Sequence, residues 1–144
     1  MTTARENLAL TSAATENITV VRAYVEAFNR GDIDAVCRLF ARDAQIWGVL
    51  GWGNVEEARP IWKELTAALQ IELTIDAIVA DGNTVVVRYT ERGKSVKPFR
   101  GLGPTHRTYE LLAMEWFELK DNLIQRRWGT RDSGSQNRQL GFAA

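Results

Sequence analysis

The chain has 144 residues, 45% of them hydrophobic and 25% charged, which is enough apolar material for the core of one domain. Eighteen basic residues balance eighteen acidic ones, and that neutrality argues against nucleic-acid or membrane-surface binding. The single cysteine, Cys37, excludes an internal disulfide and any multi-cysteine zinc site; the single histidine, His106, excludes His-rich metal sites.

Residues 1–14 are rich in Thr, Ala and Ser and lack the apolar core of a signal peptide, so they read as a flexible arm before one domain over 15–144. No stretch reaches the apolar length of a membrane span, and the cytoplasm is the default location. Val20, Val21, Tyr24, Val25 and Phe28 follow helical spacing with Gly31 beyond them, which predicts a first helix over 15–29. Asp32 can cap a short second helix carrying Ile33, Val36, Cys37 and Phe40. A strand over 44–47 then enters the glycine-rich stretch 48–53, which has the spacing of a bend and not the G-x-x-x-x-G-K-[ST] pattern of a phosphate loop. Asn54 with Glu57 forms a capping-box signal for a third helix carrying Ile61, Trp62, Leu65 and Leu69. Pro60 within it predicts a kink, or a start nearer Arg59.

After Gln70 the period becomes two. Ile71, Leu73 and Ile75 alternate with polar residues, 81–83 is a turn, and 85–92 is rich in β-branched residues. A loop over 101–104 leads to a long strand over 109–119, a tight turn over 120–122 and a returning strand over 124–132. Three helices followed by a run of strands predict an α+β domain, its helices packed on one face of a curved antiparallel sheet. Charge is uneven along it: residues 1–80 carry a net −4 and residues 81–144 a net +4. The excess is densest over 88–107, where six basic residues meet one acid, Glu91. That segment reads either as a solvated hairpin or as an electropositive rim suited to an anionic or phenolate ligand.

Several local strings resemble one family. They are Tyr24-Val-Glu-Ala-Phe-Asn-Arg-Gly-Asp-Ile-Asp-Ala-Val36, Gly101-Leu-Gly-Pro-Thr-His-Arg107, Trp116-Phe-Glu-Leu-Lys-Asp-Asn-Leu-Ile124, and Asp132 with Arg138-Gln-Leu-Gly141. In order and spacing they resemble the SnoaL-like polyketide cyclases of the nuclear transport factor 2-like superfamily. The resemblance implies a cone of curved sheet closed by helices, and a small-molecule enzyme. It also exposes departures. The acid/base aspartate of family cyclases falls at Gly129, and the base of the ketosteroid-isomerase relatives falls at Gly48. Tyr89-Thr-Glu-Arg92 resembles the epoxide-hydrolase branch, with Arg92 at its substrate-side arginine, but Lys94 stands where that branch has a carboxylate.

Candidates for chemistry remain. A three-residue turn at 120–122 with Asn122 left-handed would set Leu119 against Leu123, Glu115 against Arg127 and Ala113 against Gly129. Odd positions of the long strand then share one face, which the resemblance implies looks into the cone. Glu115 becomes a pocket acid beside a glycine that leaves room for ligand, or else a structural partner of Arg127. His106 is a proton-shuttle candidate, and Asp132 is either an acid/base or the cap of a following turn. The resemblance implies that Tyr24 holds the place of an oxyanion-type hydroxyl. Trp47 and Trp52 flank the bend as expected pocket walls for a planar ligand.

On the opposite face Leu112, Met114, Trp116 and Trp128 form an apolar stripe, which predicts a homodimer through the sheet. The expected function is tailoring of a polycyclic aromatic or polyketide-like substrate, by acid–base cyclisation or isomerisation or by cofactor-independent hydroxylation. A non-catalytic binding or protein-interaction domain of the same fold is the alternative. No residue pattern calls for a metal, flavin or nucleotide.

Overall fold

The structure is a computed structural model and describes residues 11–48 and 50–142. Helix α1 (Ser12–Asn29) starts where Thr11 accepts a hydrogen bond from the Ala14 amide through its hydroxyl, 3.0 Å. It therefore begins three residues before the expected start, inside the segment read as an arm; residues 1–10 of that arm lie outside the described residues. Helix α2 (Ile33–Arg38) is capped by Asp32 as expected. Strand β1 (Phe40–Gly48) is longer than its apolar residues suggested, and a three-residue strand β2 (Gly51–Gly53) pairs back on it across the glycine bend.

Helix α3 (Val55–Leu69) opens with both bonds of the Asn54/Glu57 capping box and runs through Pro60 to Leu69. The missing N–H of Pro60 costs one helical bond without moving the start of the helix. Strands β3 (Glu72–Asp81), β4 (Thr84–Lys94), β5 (Thr108–Lys120) and β6 (Leu123–Arg131) follow, and the six strands form one sheet in the order β2-β1-β6-β5-β4-β3. The α+β architecture stands as expected. The sheet is mixed, however, because β1 runs parallel to β6. Short turns fix the β1–β2, β3–β4 and β5–β6 pairs as antiparallel, whereas no turn joins β1 to β6, so local sequence is silent on their direction.

The β5–β6 register differs from expectation by two residues. Asp121 and Asn122 both take positive φ, +52° and +64°, so the turn has two residues and Lys120 pairs with Leu123. An irregularity at Gln125 adds one more residue of slip, giving Glu115 opposite Gly129 and Phe117 opposite Arg127. A slip of one would have turned every side chain to the other face; a slip of two leaves Glu115, Arg127 and Gly129 facing inward.

The core lies between the helices and the concave face, where Val21, Tyr24 and Phe28 of α1 meet Val85, Val87 and Phe117 of the sheet. Asn29 ties α1 to β3 by donating to the Leu73 carbonyl, 2.9 Å, and accepting from its amide, 2.8 Å. A final helix, α4 (Ser133–Leu140), was not expected, since its Ser, Gly and Asn residues are poor helix formers. Tertiary contacts hold it. Leu140 is fully buried, and the Gln139 side chain exchanges two hydrogen bonds with the Glu110 backbone, 3.0 and 2.9 Å.

Candidate functional site

The concave face, helices α1 and α3, the 99–102 loop and the segment after β6 surround a partly open cavity of about 530 Å³. Its walls are set by the inward, odd-numbered positions of β4, β5 and β6. Two charged centres sit in those walls, and both have the same composition.

The first centre is Glu115, Arg127 and Tyr24. The Tyr24 hydroxyl donates to Glu115 Oε2 at 2.8 Å, and Arg127 Nη1 lies 3.1 Å from the same oxygen. The pair is shielded: the side chains are 11% and 9% exposed. Arg127 starts one row from Glu115 and reaches it diagonally across Gly129. A Cβ at Gly129 would overlap the guanidinium, so the space expected for ligand beside this glycine holds Arg127 instead. The guanidinium also lies over the Trp62 ring, 5.6 Å from its centroid, a cation–π contact that supports it from the helix side. Glu115 Oε1 is buried and has no hydrogen-bond partner, and neither has the Tyr89 hydroxyl beside it. Burial, and then the Glu115 charge, push the hydroxyls of Tyr24 and Tyr89 well above the ordinary tyrosine range. Both therefore stay neutral; Tyr24 donates to Glu115, and Tyr89 keeps its proton available to donate.

The second centre is Glu91, Arg131 and Tyr109. Arg131 Nε donates to Glu91 Oε1 at 3.0 Å, Arg131 Nη2 pairs with Oε2, and the Tyr109 hydroxyl donates to Oε2 at 2.5 Å. Burial works to lower the Arg131 pKa, and the bonds to Glu91 outweigh it, so the guanidinium stays charged. Gln136 of α4 accepts from Arg131 Nη1 at 3.2 Å.

Of the expected site residues, Glu115, Arg127, Tyr24, Ala113, Gly129 and Trp52 line the cavity. The others fall elsewhere. His106 is exposed on the 95–107 loop at φ +61°, its amide bonded to the Ser95 carbonyl. Asp132 accepts from the Ser135 amide at 2.9 Å as the N-cap of α4, the capping alternative of the two expected. Arg92 points outward and pairs with Glu110 at 2.7 Å, because even positions of β4 leave the cavity. Trp47 is 38% exposed and pairs across the outer side of the sheet with Trp128 and Trp52, so it is no pocket wall.

Sequence reasoning missed Glu91, Arg131, Tyr89, Trp62 and Gln136 as cavity residues. The signal for two of them was present: Val85, Val87, Tyr89 and Glu91 alternate with outward residues along one strand. Gln136 had no such signal, since its helix was not legible. Among the described residues, no three His, Cys, Asp or Glu side chains come together as metal ligands, and no helix is long and apolar enough to cross a membrane.

Known proteins share this arrangement of elements. IdmH of Streptomyces antibioticus, a candidate polyketide cyclase, superposes with a TM-score of 0.76 at 26% identity, over 87% of this chain and 98% of its own. AclR of Streptomyces galilaeus, a candidate hydroxylase, gives 0.83 at 17% identity over 91% and 99%. An LEH-like epoxide hydrolase of M. tuberculosis gives 0.71 at 21% identity over 90% and 92%. No curated protein matches the chain. The family model described as the SnoaL-like domain matches residues 21–127, about three quarters of the sequence, and the chain belongs to that family.

Proposed function

We propose that the protein is a small-molecule tailoring enzyme that moves a proton alpha to a carbonyl of a polycyclic aromatic or polyketide-like substrate. One observation carries this reading. Glu115 is anchored through Oε2 by Tyr24 and Arg127 while Oε1 is left without a partner in the cavity wall. A carboxylate held by one oxygen and idle at the other is built as a general base. Oε1 takes the proton, and the electron pair of the broken C–H bond moves into the enolate. The Tyr89 hydroxyl, unpartnered beside Glu115, and the Arg127 guanidinium supply donors for the enolate oxygen. The enolate carbon then attacks a second carbonyl, closing a ring, and the alkoxide so formed takes the proton back from Glu115; in an isomerisation Glu115 returns the proton to another carbon of the enolate. Trp62, buried in the cavity wall, gives the planar ligand aromatic surface to lie against. The relatives named as a candidate cyclase, a candidate hydroxylase and an epoxide hydrolase support small-molecule chemistry in this fold.

The test is hydrogen–deuterium exchange alpha to the carbonyl of 2-tetralone in deuterated buffer, followed by mass spectrometry. Wild type accelerates the exchange, and Glu115→Gln reduces the acceleration by about 100-fold or more. A second reading, a binding protein, is favoured by the pairing of both cavity carboxylates with arginines. It predicts ligand-induced stabilisation with no exchange at any pH. Ligand at a hundred times its dissociation constant adds about 2.7 kcal/mol, roughly 5–10 °C in Tm for this size.

A homodimer through the outer sheet face belongs to the same proposal. Val79, Val86, Trp116, Trp128, Trp47 and Trp52 are successive cross-strand partners, so one apolar row crosses all six strands. Val79 and Trp116 are 62% and 47% exposed, with Leu112 and Met114 exposed beside them. A second copy covers such a row without opposing net charge. Sedimentation equilibrium should give a dimer for wild type and a monomer for Trp116→Glu; a monomeric wild type rejects the pairing.

A further inference from the structure

The second charged centre lies in the same cavity as the first, and the proposed reaction makes no use of it. Glu91, Arg131 and Gln136 all line the cavity. Glu91 is four residues along β4 from Val87, the cross-strand partner of Glu115. Strand rise therefore separates the two centres by about 13 Å, close to the length of a fused three-ring system with a substituent at each end.

Within this centre almost every polar valence is filled. Both oxygens of Glu91 are taken by Arg131, and Tyr109 spends its proton on Oε2. The exception is the amide of Gln136, a residue only 3% exposed. Its Oε1 accepts from Arg131 Nη1, and this fixes the orientation of the amide, because the reverse would face N–H against N–H. Its Nε2 has no partner. The Tyr109 hydroxyl oxygen lies close to it, outside the distance and angle of a formed hydrogen bond. A buried amide N–H without an acceptor costs free energy that a bound acceptor returns.

We infer that the Glu91–Arg131–Gln136 end of the cavity is a recognition subsite in which Gln136 Nε2 donates to an oxygen at the far end of the ligand. The ligand class is an elongated fused-ring aromatic with carbonyl or phenolic oxygens at both ends, one toward Glu115 and one toward Gln136. Arg131, neutralised by Glu91, orients the amide and leaves it the donor for the incoming oxygen. Gln136 is thus a specificity-determining residue, supplied by the only helix that follows the sheet among the described residues. The inference rests on the cavity being the ligand site, as in the proposed function, but not on the reaction that occurs there.

The probes are 2,6-dihydroxyanthraquinone, with oxygens at both ends, and 2-hydroxyanthraquinone, which lacks one of them. Tryptophan-fluorescence titration of the full chain gives both affinities. Wild type should prefer the dihydroxy probe by about tenfold, the scale of one buried hydrogen bond. Gln136→Met should bring the ratio close to one while leaving the affinity for the monohydroxy probe within about twofold. Gln136→Glu keeps the acceptor for Arg131 and removes the donor; it should also abolish the preference. A residue that merely positions Arg131 would be rescued by that substitution. A preference retained in Gln136→Glu, or absent from wild type, overturns the subsite. Preference with no exchange of 2-tetralone overturns the proposed reaction and leaves the subsite standing.

Discussion

Glu115 and Glu91 sit in one cavity, each with an arginine and a tyrosine, yet the two centres are built for different tasks. Glu91 meets its arginine through both oxygens and its tyrosine through one, so no acceptor site is left idle. Glu115 concentrates its partners on Oε2 and leaves Oε1 free. The register explains the contrast. Arg131 spans Ala113 to reach a carboxylate on β4 side-on, whereas Arg127 folds across Gly129 toward a neighbour and meets it through one nitrogen. Identical residue types thus give a fully satisfied carboxylate in one place and a half-satisfied one in the other. In the proposed function it is this unfilled valence, and not residue identity, that makes Glu115 the base.

The largest perturbation strikes both centres together. The chain has three tyrosines, all of them in these clusters. Burial, followed by the neighbouring carboxylates, raises the pKa of Tyr24, Tyr89 and Tyr109 in the folded state. Above pH 10 the unfolded chain releases these protons while the folded chain keeps them, so stability is whole below about pH 10 and falls as pH rises beyond it. Three such groups give a slope of about 4 kcal/mol per pH unit. Phenolate absorbance at 295 nm should stay flat through pH 10 and then rise in one step with the loss of circular dichroism. A phenol that titrates early in the folded protein would identify the looser centre.

Next in size is Arg131→Met, which leaves Glu91 buried without its cation. Urea denaturation should register a loss of about 3–5 kcal/mol. Glu115→Gln should cost less, about 1–2 kcal/mol, since glutamine still accepts from Tyr24 and Arg127 keeps the Trp62 ring. Equal losses in the two variants would erase the distinction between clamp and base. The smallest effects belong to residues outside both centres. Arg92→Ala removes an exposed pair and should change stability by no more than about 0.5 kcal/mol. His106→Gly relieves a left-handed φ and should be neutral or stabilising by about 1 kcal/mol. Neither should alter probe affinity; a loss in either would return that residue to the site.

Much of this was legible because it depends on near neighbours in sequence. Helical spacing located Tyr24 on a buried face, the Asn54/Glu57 pair opened α3, and alternation placed Glu115, Ala113, Arg127 and Gly129 on one face, which the family resemblance turned inward. The expected pairing of Glu115 with Arg127 was also met, although through a diagonal contact and not the direct cross-strand one. Arg92 was misplaced because the family resemblance carried its position without its side-chain direction, which is away from the cavity; His106 was a candidate for its imidazole chemistry alone, which says nothing of where the residue sits. Trp47 shows the same limit, since the outward face of β1 follows from its pairing with β6 and not from the adjacent glycines.

The sequence by itself determined the α+β class, the order of most helices and strands, the family, and which residues of β5 and β6 share a face, because periodicity and capping are local properties of the chain. Tertiary structure alone decided the parallel β1–β6 pairing, the two-residue register slip and the docking of a weak C-terminal helix. Those three choices bring Arg127 over Gly129, Arg131 to Glu91 and Gln136 to the cavity wall. They join residues far apart in the chain, where the free energy of packing and the satisfaction of buried polar groups, rather than local propensity, select the partner.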